Sequence, residues 1–215
     1  MANAEDLSVP RLRMDRRTQL IDLTIALVGR RGYNGFTLKM LAECSGLSNP
    51  GVLHYFASKD ILLLAVLDEI GKREVATYGR SQGRAAIGIA LTGVPMQACL
   101  AALRVMMARI VENPGQARFL TALHMEATHP EHPAHAWFLD HEKQTQEFFM
   151  RLVAFCPDPH ETADLLIALM HGLTLVWLKS DGAFNLVERW DKAIRTVLPD
   201  QNNDTHAARS ANSGG

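Results

Sequence analysis

Residues 37–60 read TLKMLAECSGLSNPGVLHYFASKD. The stretch predicts a short helix, a tight turn, a second short helix and the start of a third. Leu38, Leu41 and Ala42 recur at i, i+3 and i+4, so they share one helical face. Ser45-Gly46-Leu47 interrupts that period. Gly46 suits the positive φ of a sharp helix-to-helix corner, and Leu47 plugs it. Ser48 is placed to cap the next helix, and Pro50 sits near its first position, where a missing N–H costs nothing. Val52, Leu53 and Phe56 form the expected buried side, and Asn49, Gly51, His54 and Tyr55 are left facing out. The layout is that of a helix-turn-helix, a motif whose second helix enters the DNA major groove.

Working outward, Ser58 is the expected cap of the following helix, with Asp60 in its first turn against the helix dipole. That helix carries Ile61, Leu64, Leu67, Asp68 and Lys72 and runs toward Tyr78. On the other side, Arg16–Arg31 forms a buttressing helix striped by Leu20, Leu23 and Leu27, widened by Ile21, Ile25 and Val28, and stopped at Gly32.

The residue pattern Phe36-Thr37, Leu41-Ala42, Ser45-Gly46-Leu47-Ser48, His54-Tyr55-Phe56 and Ser58-Lys59-Asp60-Ile61-Leu62-Leu63 resembles the N-terminal DNA-binding region of TetR-type transcriptional regulators. The resemblance covers about residues 16–67. The chain departs from the pattern at Leu53, where the family usually has an aromatic, and at Pro50, where it often has Gly. The resemblance implies a three-helix DNA-binding head on a helical body that binds a small molecule and dimerises.

The side chains suit that chemistry directly. Asn49 and His54 offer hydrogen bonds to base edges, and Pro50 and Gly51 permit close approach. Thr37, Ser48, Tyr55 and Lys59 suit phosphates, and Lys39 suits either. Arg11, Arg13, Arg16 and Arg17 form either a minor-groove arm or a solvated one. Between Pro10 and Lys59, eight basic side chains stand against three acidic ones, a local charge of +5 in a chain whose net charge is −1. A basic module on an acidic body suits contact with DNA at one end.

Beyond the head, residues 79–95 carry four glycines before Pro95 and mark a break. Five further helices are expected over Met96–Glu112, Gln116–Thr128, Ala134–Phe155, His160–Lys179 and Asn185–Val197. The fold class is all-α, with about nine helices. The division is a flexible basic arm at 1–15, the helix-turn-helix domain at 16–57, an effector-binding and dimerisation domain at 58–198, and a disordered tail at 199–215.

Leu165, Leu166, Leu169, Leu173, Val176 and Trp177 make the His160–Lys179 helix apolar on more than one side, so a second copy of the chain is its expected cover. The helices 96–112, 116–128 and 134–155 are expected to enclose a mostly apolar cavity for a small apolar or aromatic effector. Its candidate lining is Leu103, Met106, Met107, Ile110, Phe119, Leu123, Trp137 and His141, with Arg109 or His141 orienting a polar end. The competing reading is that these residues fill a closed core.

Seven of the nine histidines fall between His124 and His171. His129, His132 and His135 are spaced by three, but Pro130 and Pro133 interrupt the helix a metal site would need. No nucleophile elbow, P-loop or dinucleotide fingerprint occurs, so neither an enzyme nor a cofactor is expected. Cys44, Cys99 and Cys156 are expected as buried reduced thiols. No export signal is read at the N-terminus, and Leu165–Leu178 is read as too short and polar to span a bilayer, so a cytoplasmic place and no membrane are expected. The expected function is a homodimeric regulator, a repressor released from palindromic double-stranded operator DNA by its effector. The alternative is an all-α small-molecule or metal-binding protein, a metal sensor using the 124–171 histidines; a helical adaptor is a third reading.

Overall fold

The computed structural model describes residues 15–81 and 95–198. The arm with Arg11 and Arg13, most of the break at 79–95, and the tail from residue 199 lie outside them. Among the described residues the chain is all-α, with nine α-helices and a terminal 3₁₀ turn. They are α1 (Arg16–Gly35), α2 (Leu38–Ser45), α3 (Asn49–Tyr55), α4 (Lys59–Ser81), α5 (Met96–Glu112), α6 (Pro114–Glu126), α7 (His135–Leu152), α8 (Pro159–Lys179) and α9 (Leu186–Ala193), followed by Ile194–Thr196.

Local chemistry sets the boundaries. The Thr37, Ser48 and Ser58 hydroxyls accept from Met40 N (3.3 Å), Gly51 N (3.2 Å) and Ile61 N (3.1 Å), capping α2, α3 and α4. Asp158 and Asn185 cap α8 and α9 in the same way. Pro114 forces Asn113 out of helical backbone and separates α5 from α6. Gly32 takes φ 70° and ψ 166°, so α1 breaks there and then resumes for one short turn to Gly35.

Two apolar cores hold the helices together. The first gathers Leu20, Ile21, Ile25 and Val28 of α1 with α2–α4, then adds Phe119 and Leu123 of α6 and Phe138 of α7. The second joins α5, the end of α7, α8 and α9 around Phe149, Leu166, Trp177 and Trp190. The helix-turn-helix therefore shares its core with part of the body. Gly29 lets α1 lie close along α6: a Cβ there would be 3.1 Å from Gly115 O and 3.2 Å from Phe119 N.

Several expectations change. Cys99 and Cys156 are buried but Cys44 is exposed, because Leu41, Ala42 and Ser45 occupy the inward face of α2. Burial pushes the Cys99 thiol up to about 11, with neighbouring Cys156 adding to the shift. In α1 the buried line is Leu20, Ile21, Thr24, Ile25 and Val28, with Leu23 and Leu27 at its edge. Ile61 and Leu64 of α4 face outward while Leu62, Leu63, Val66 and Leu67 are buried. Helix α8, 21 residues with a mean hydropathy of 1.3 in its apolar window, is long and apolar enough to cross a membrane, so the exclusion read from Leu165–Leu178 does not hold on length and composition. Its Leu166, Trp177 and Leu178 are packed into the second core.

Candidate nucleic-acid interface

The corner between α2 and α3 is built as its residues dictate. Gly46 sits in left-handed backbone at φ 70°, and Leu47 N donates to Ala42 O at 3.0 Å, closing the end of α2. Helix α3 has seven residues and one fully buried side chain, Val52. Phe56, just past its end, is also buried, and the Arg17 guanidinium lies 5.1 Å from its ring centroid.

The rest of α3 points away from the core. Asn49, Pro50, His54 and Tyr55 are exposed, as are Thr37 and Lys39 of α2's first turn and the cap Ser48. The His54 and Tyr55 rings meet edge to face at 5.6 Å. Leu53, expected inward, is 40% exposed. Val52 and Phe56, four residues apart, take the single inward register, and a helix this short offers no second one. Gly51 is half-buried: a Cβ there would lie 3.3 Å from the capping Ser48 Oγ, so its smallness also serves the local cap.

Lys59 stands at the first turn of α4, half-buried rather than free. Its ammonium lies 4.0 Å from the Tyr33 ring centroid and 5.8 Å from that of Phe36. Burial draws the Lys59 pKa down, against Asp60 and Glu126, which raise it. The Tyr33 hydroxyl donates to Asp60, so phenol and ammonium are set in one cluster. Sequence reasoning missed Tyr33 and Asp60 as supports of Lys59; the signal is only a tyrosine after a glycine stop.

Of the remaining candidates, Leu103 and Met107 are buried in the second core, with Met106 and Ile110 against it, while Phe119 and Leu123 belong to the first. Trp137 and His141 stack on each other at 4.6 Å. Arg109 faces Glu74 of α4, whose carboxyl is pushed up by burial and pulled back by Arg109. A cleft of about 400 Å³ between α1, the start of α6 and the end of α8 is lined by Gly29, Val111, Arg118 and Trp177 among others, and by none of the candidate effector residues. On α8, Leu166 and Trp177 are buried, Leu169 and Leu173 are partly buried, and Leu165, Leu175 and Val176 are exposed. Among the described residues, no three His, Cys, Asp or Glu side chains converge as a metal site. His135 instead bonds Ala127 O at 2.7 Å, and His124 bonds Glu142 at 2.7 Å.

Residues 20–66 match the model of the bacterial regulatory proteins of the TetR family. The N-terminal head of this chain is thus similar to the heads of TetR-family regulators. The TetR match spans most of α1, the whole helix-turn-helix and the first turns of α4. The HTH-type transcriptional regulator BetI of Brucella anthropi is 36% identical over 80 residues, 34% of this chain and 41% of that protein. The chain thus spans about two fifths of the length of this curated relative. Two solved structures share the fold over most of their length. The regulator FadR of Bacillus subtilis, in complex with stearoyl-CoA, has a TM-score of 0.67 at 11% identity, covering 84% of this chain and 97% of its own. AibR, in complex with isovaleryl coenzyme A and operator DNA, has a TM-score of 0.64 at 16% identity, covering 86% and 99%. At these identities the likeness is one of fold.

Proposed function

We propose that this chain is a homodimeric, cytoplasmic TetR-family regulator that binds a palindromic DNA operator through α3 and is released by a small apolar effector. The observation that carries the reading is the imbalance of α3. One buried valine anchors it, and its outward side carries an amide, an imidazole and a phenol beside a capped helix N-terminus. A helix holding hydrogen-bonding groups outward on a rigid corner matches the base edges and phosphates of a major groove. Asn49 and His54 read bases. Thr37, Ser48, Tyr55 and Lys59 meet phosphates, Lys39 serves either, and Pro50 and Gly51 keep the approach close.

The open face of α8 supports the dimer. Leu165, Leu175 and Val176 leave an apolar strip on a helix whose opposite face, with Leu166 and Trp177, is already in the core. A second copy meeting that strip would set two α3 helices on one side of the DNA, about one helical turn apart. The effector reading rests on Met106, Met107, Ile110 and neighbouring apolar residues of α5–α7. It is consistent with the acyl thioesters held by the two structural neighbours. Arg109, facing Glu74 of α4, gives a polar end of the effector a path to the head.

Selection of duplexes from a random-sequence pool by the full chain, followed by gel shifts across a salt series, tests this. The expected product is an inverted repeat whose affinity falls steeply with salt. A pool that stays random through selection sinks the proposal.

A further inference from the structure

Beyond their shared core, the head and the body are tied by one carboxylate. Glu126 is the last residue of α6, and its two oxygens accept from Tyr33 N at 2.9 Å and Asn34 N at 3.2 Å, more than ninety residues earlier in the chain. Those amides are available because Gly32 breaks α1. At φ 70° and ψ 166° the helical ladder stops, and the next two N–H groups point sideways. Successive amides of this kind form a cradle for an anion, and bonds to a carboxylate are stronger than neutral ones.

A side chain at position 32 would also push the Glu126 carboxylate off the two amides. A Cβ there would stand 2.5 Å from Glu126 Oε1, closer than any carbon–oxygen contact allows. The turn after α6 adds a second touch, with the His132 ring edge-on to Tyr33 at 5.1 Å.

Tyr33 carries the contact onward. Its hydroxyl bonds Asp60 and its ring lies under the Lys59 ammonium at 4.0 Å. A single series of contacts therefore runs from the end of α6, through Tyr33, to the lysine that would meet a phosphate.

We infer that Glu126 is a positioning residue for DNA binding: by clasping the broken end of α1 it fixes Tyr33, and through Tyr33 the Lys59 ammonium, so that the helical body sets the geometry of the head at this point. The inference rests on the DNA-binding reading above.

The test uses the full chain, the duplex that the wild type selects from a random pool, and the variants Glu126→Ala, Glu126→Gln, Lys59→Ala and Lys59→Ala/Glu126→Ala. Circular dichroism melts establish that each is folded. Backbone hydrogen exchange without DNA is expected to accelerate at Tyr33 and Asn34 in Glu126→Ala and less in Glu126→Gln, which keeps one acceptor. Glu126→Ala is expected to weaken duplex binding roughly tenfold, in line with loss of bonds to a charged group. In the Lys59→Ala background the same change should cost no more than about twofold, since both act through one contact. Unchanged exchange at Tyr33 and Asn34 overturns the clasp. A Glu126→Ala loss of equal size with and without Lys59 reduces Glu126 to a stabilising residue and overturns the inference while DNA binding stands. A wild type that selects no duplex overturns the DNA-binding reading and this role with it.

Discussion

Helices α3 and α8 are opposites in build, yet among the described residues both turn side chains away from the cores. Helix α3 has seven residues, is held by caps and one buried valine, and turns an amide, an imidazole and a phenol outward. Helix α8 has 21 residues, buries one face deeply, and turns Leu165, Leu175 and Val176 outward at 51%, 43% and 50% exposure. Hydrogen-bonding groups on a rigid corner lose nothing in water and gain at a patterned polar surface. Apolar groups on a long straight helix gain only from another apolar surface. The two helices thus ask for different partners, a nucleic acid and a second copy, and the polarity of the outward face decides which.

The strongest way to break this comparison is to charge α8. Val176→Glu should leave each monomer folded, because the position is half-exposed, yet convert dimers to monomers and weaken operator binding by about a hundredfold or more, as expected when two half-sites no longer bind together. Sedimentation velocity and gel shift check it, and a dimeric variant with intact binding ends the claim for that face. The next effect belongs to α3. Asn49→Ala and His54→Ala should each cost roughly 1–3 kcal/mol at particular base pairs while leaving affinity for other sequences unchanged. A uniform loss across a panel of substituted duplexes would move these residues from base reading to backbone contact.

Smaller effects sharpen the contrast. Ser48→Ala removes the acceptor of Gly51 N in a helix with little buried area, and should lower stability by about 1 kcal/mol in denaturant melts. The smallest effect is one of pH. His141 is held below the ordinary histidine range by burial, with His124 adding to the shift and Glu142 opposing it. His171 of α8, also lowered chiefly by burial and in edge contact with the His124 ring, faces the same group. As pH falls through about 6.5 the unfolded chain takes up a proton before the folded one does, so stability declines toward acid. His141→Gln should flatten the fall in melting temperature between about pH 7.5 and 5.5. A slope equal to that of the wild type would show that this imidazole is not the group titrating.

What was legible in the sequence follows the range of the forces involved. The turn at Gly46, the caps at Ser48 and Ser58 and the bounds of α5 and α8 are written in neighbouring residues, because capping and backbone preference act within a turn. So was the outward set of α3, except that Gly51 is half-buried and Leu53 faces out. A hydrophobic residue one step from the buried register looks inward in a pattern, while a seven-residue helix has only one inward line. Cys44 was misread for the same reason. On α8 the pattern showed that both sides were apolar but not which side the chain keeps for itself. Leu166 and Trp177 go to the core and Val176 is left out, and that division depends on where α5, α7 and α9 lie.

By itself, then, the sequence determined an all-helical chain with a helix-turn-helix near its N-terminus, a polar outward face on the second helix of that motif, and an apolar helix in excess of its own core. Only the tertiary structure decided that the head and α6 share one core, that Lys59 rests on Tyr33, and that Glu126 reaches back to the amides freed at Gly32. Those contacts join residues tens of positions apart. Their pairing is set by the packing of α1 along α6, and no periodicity or local preference within either helix encodes it.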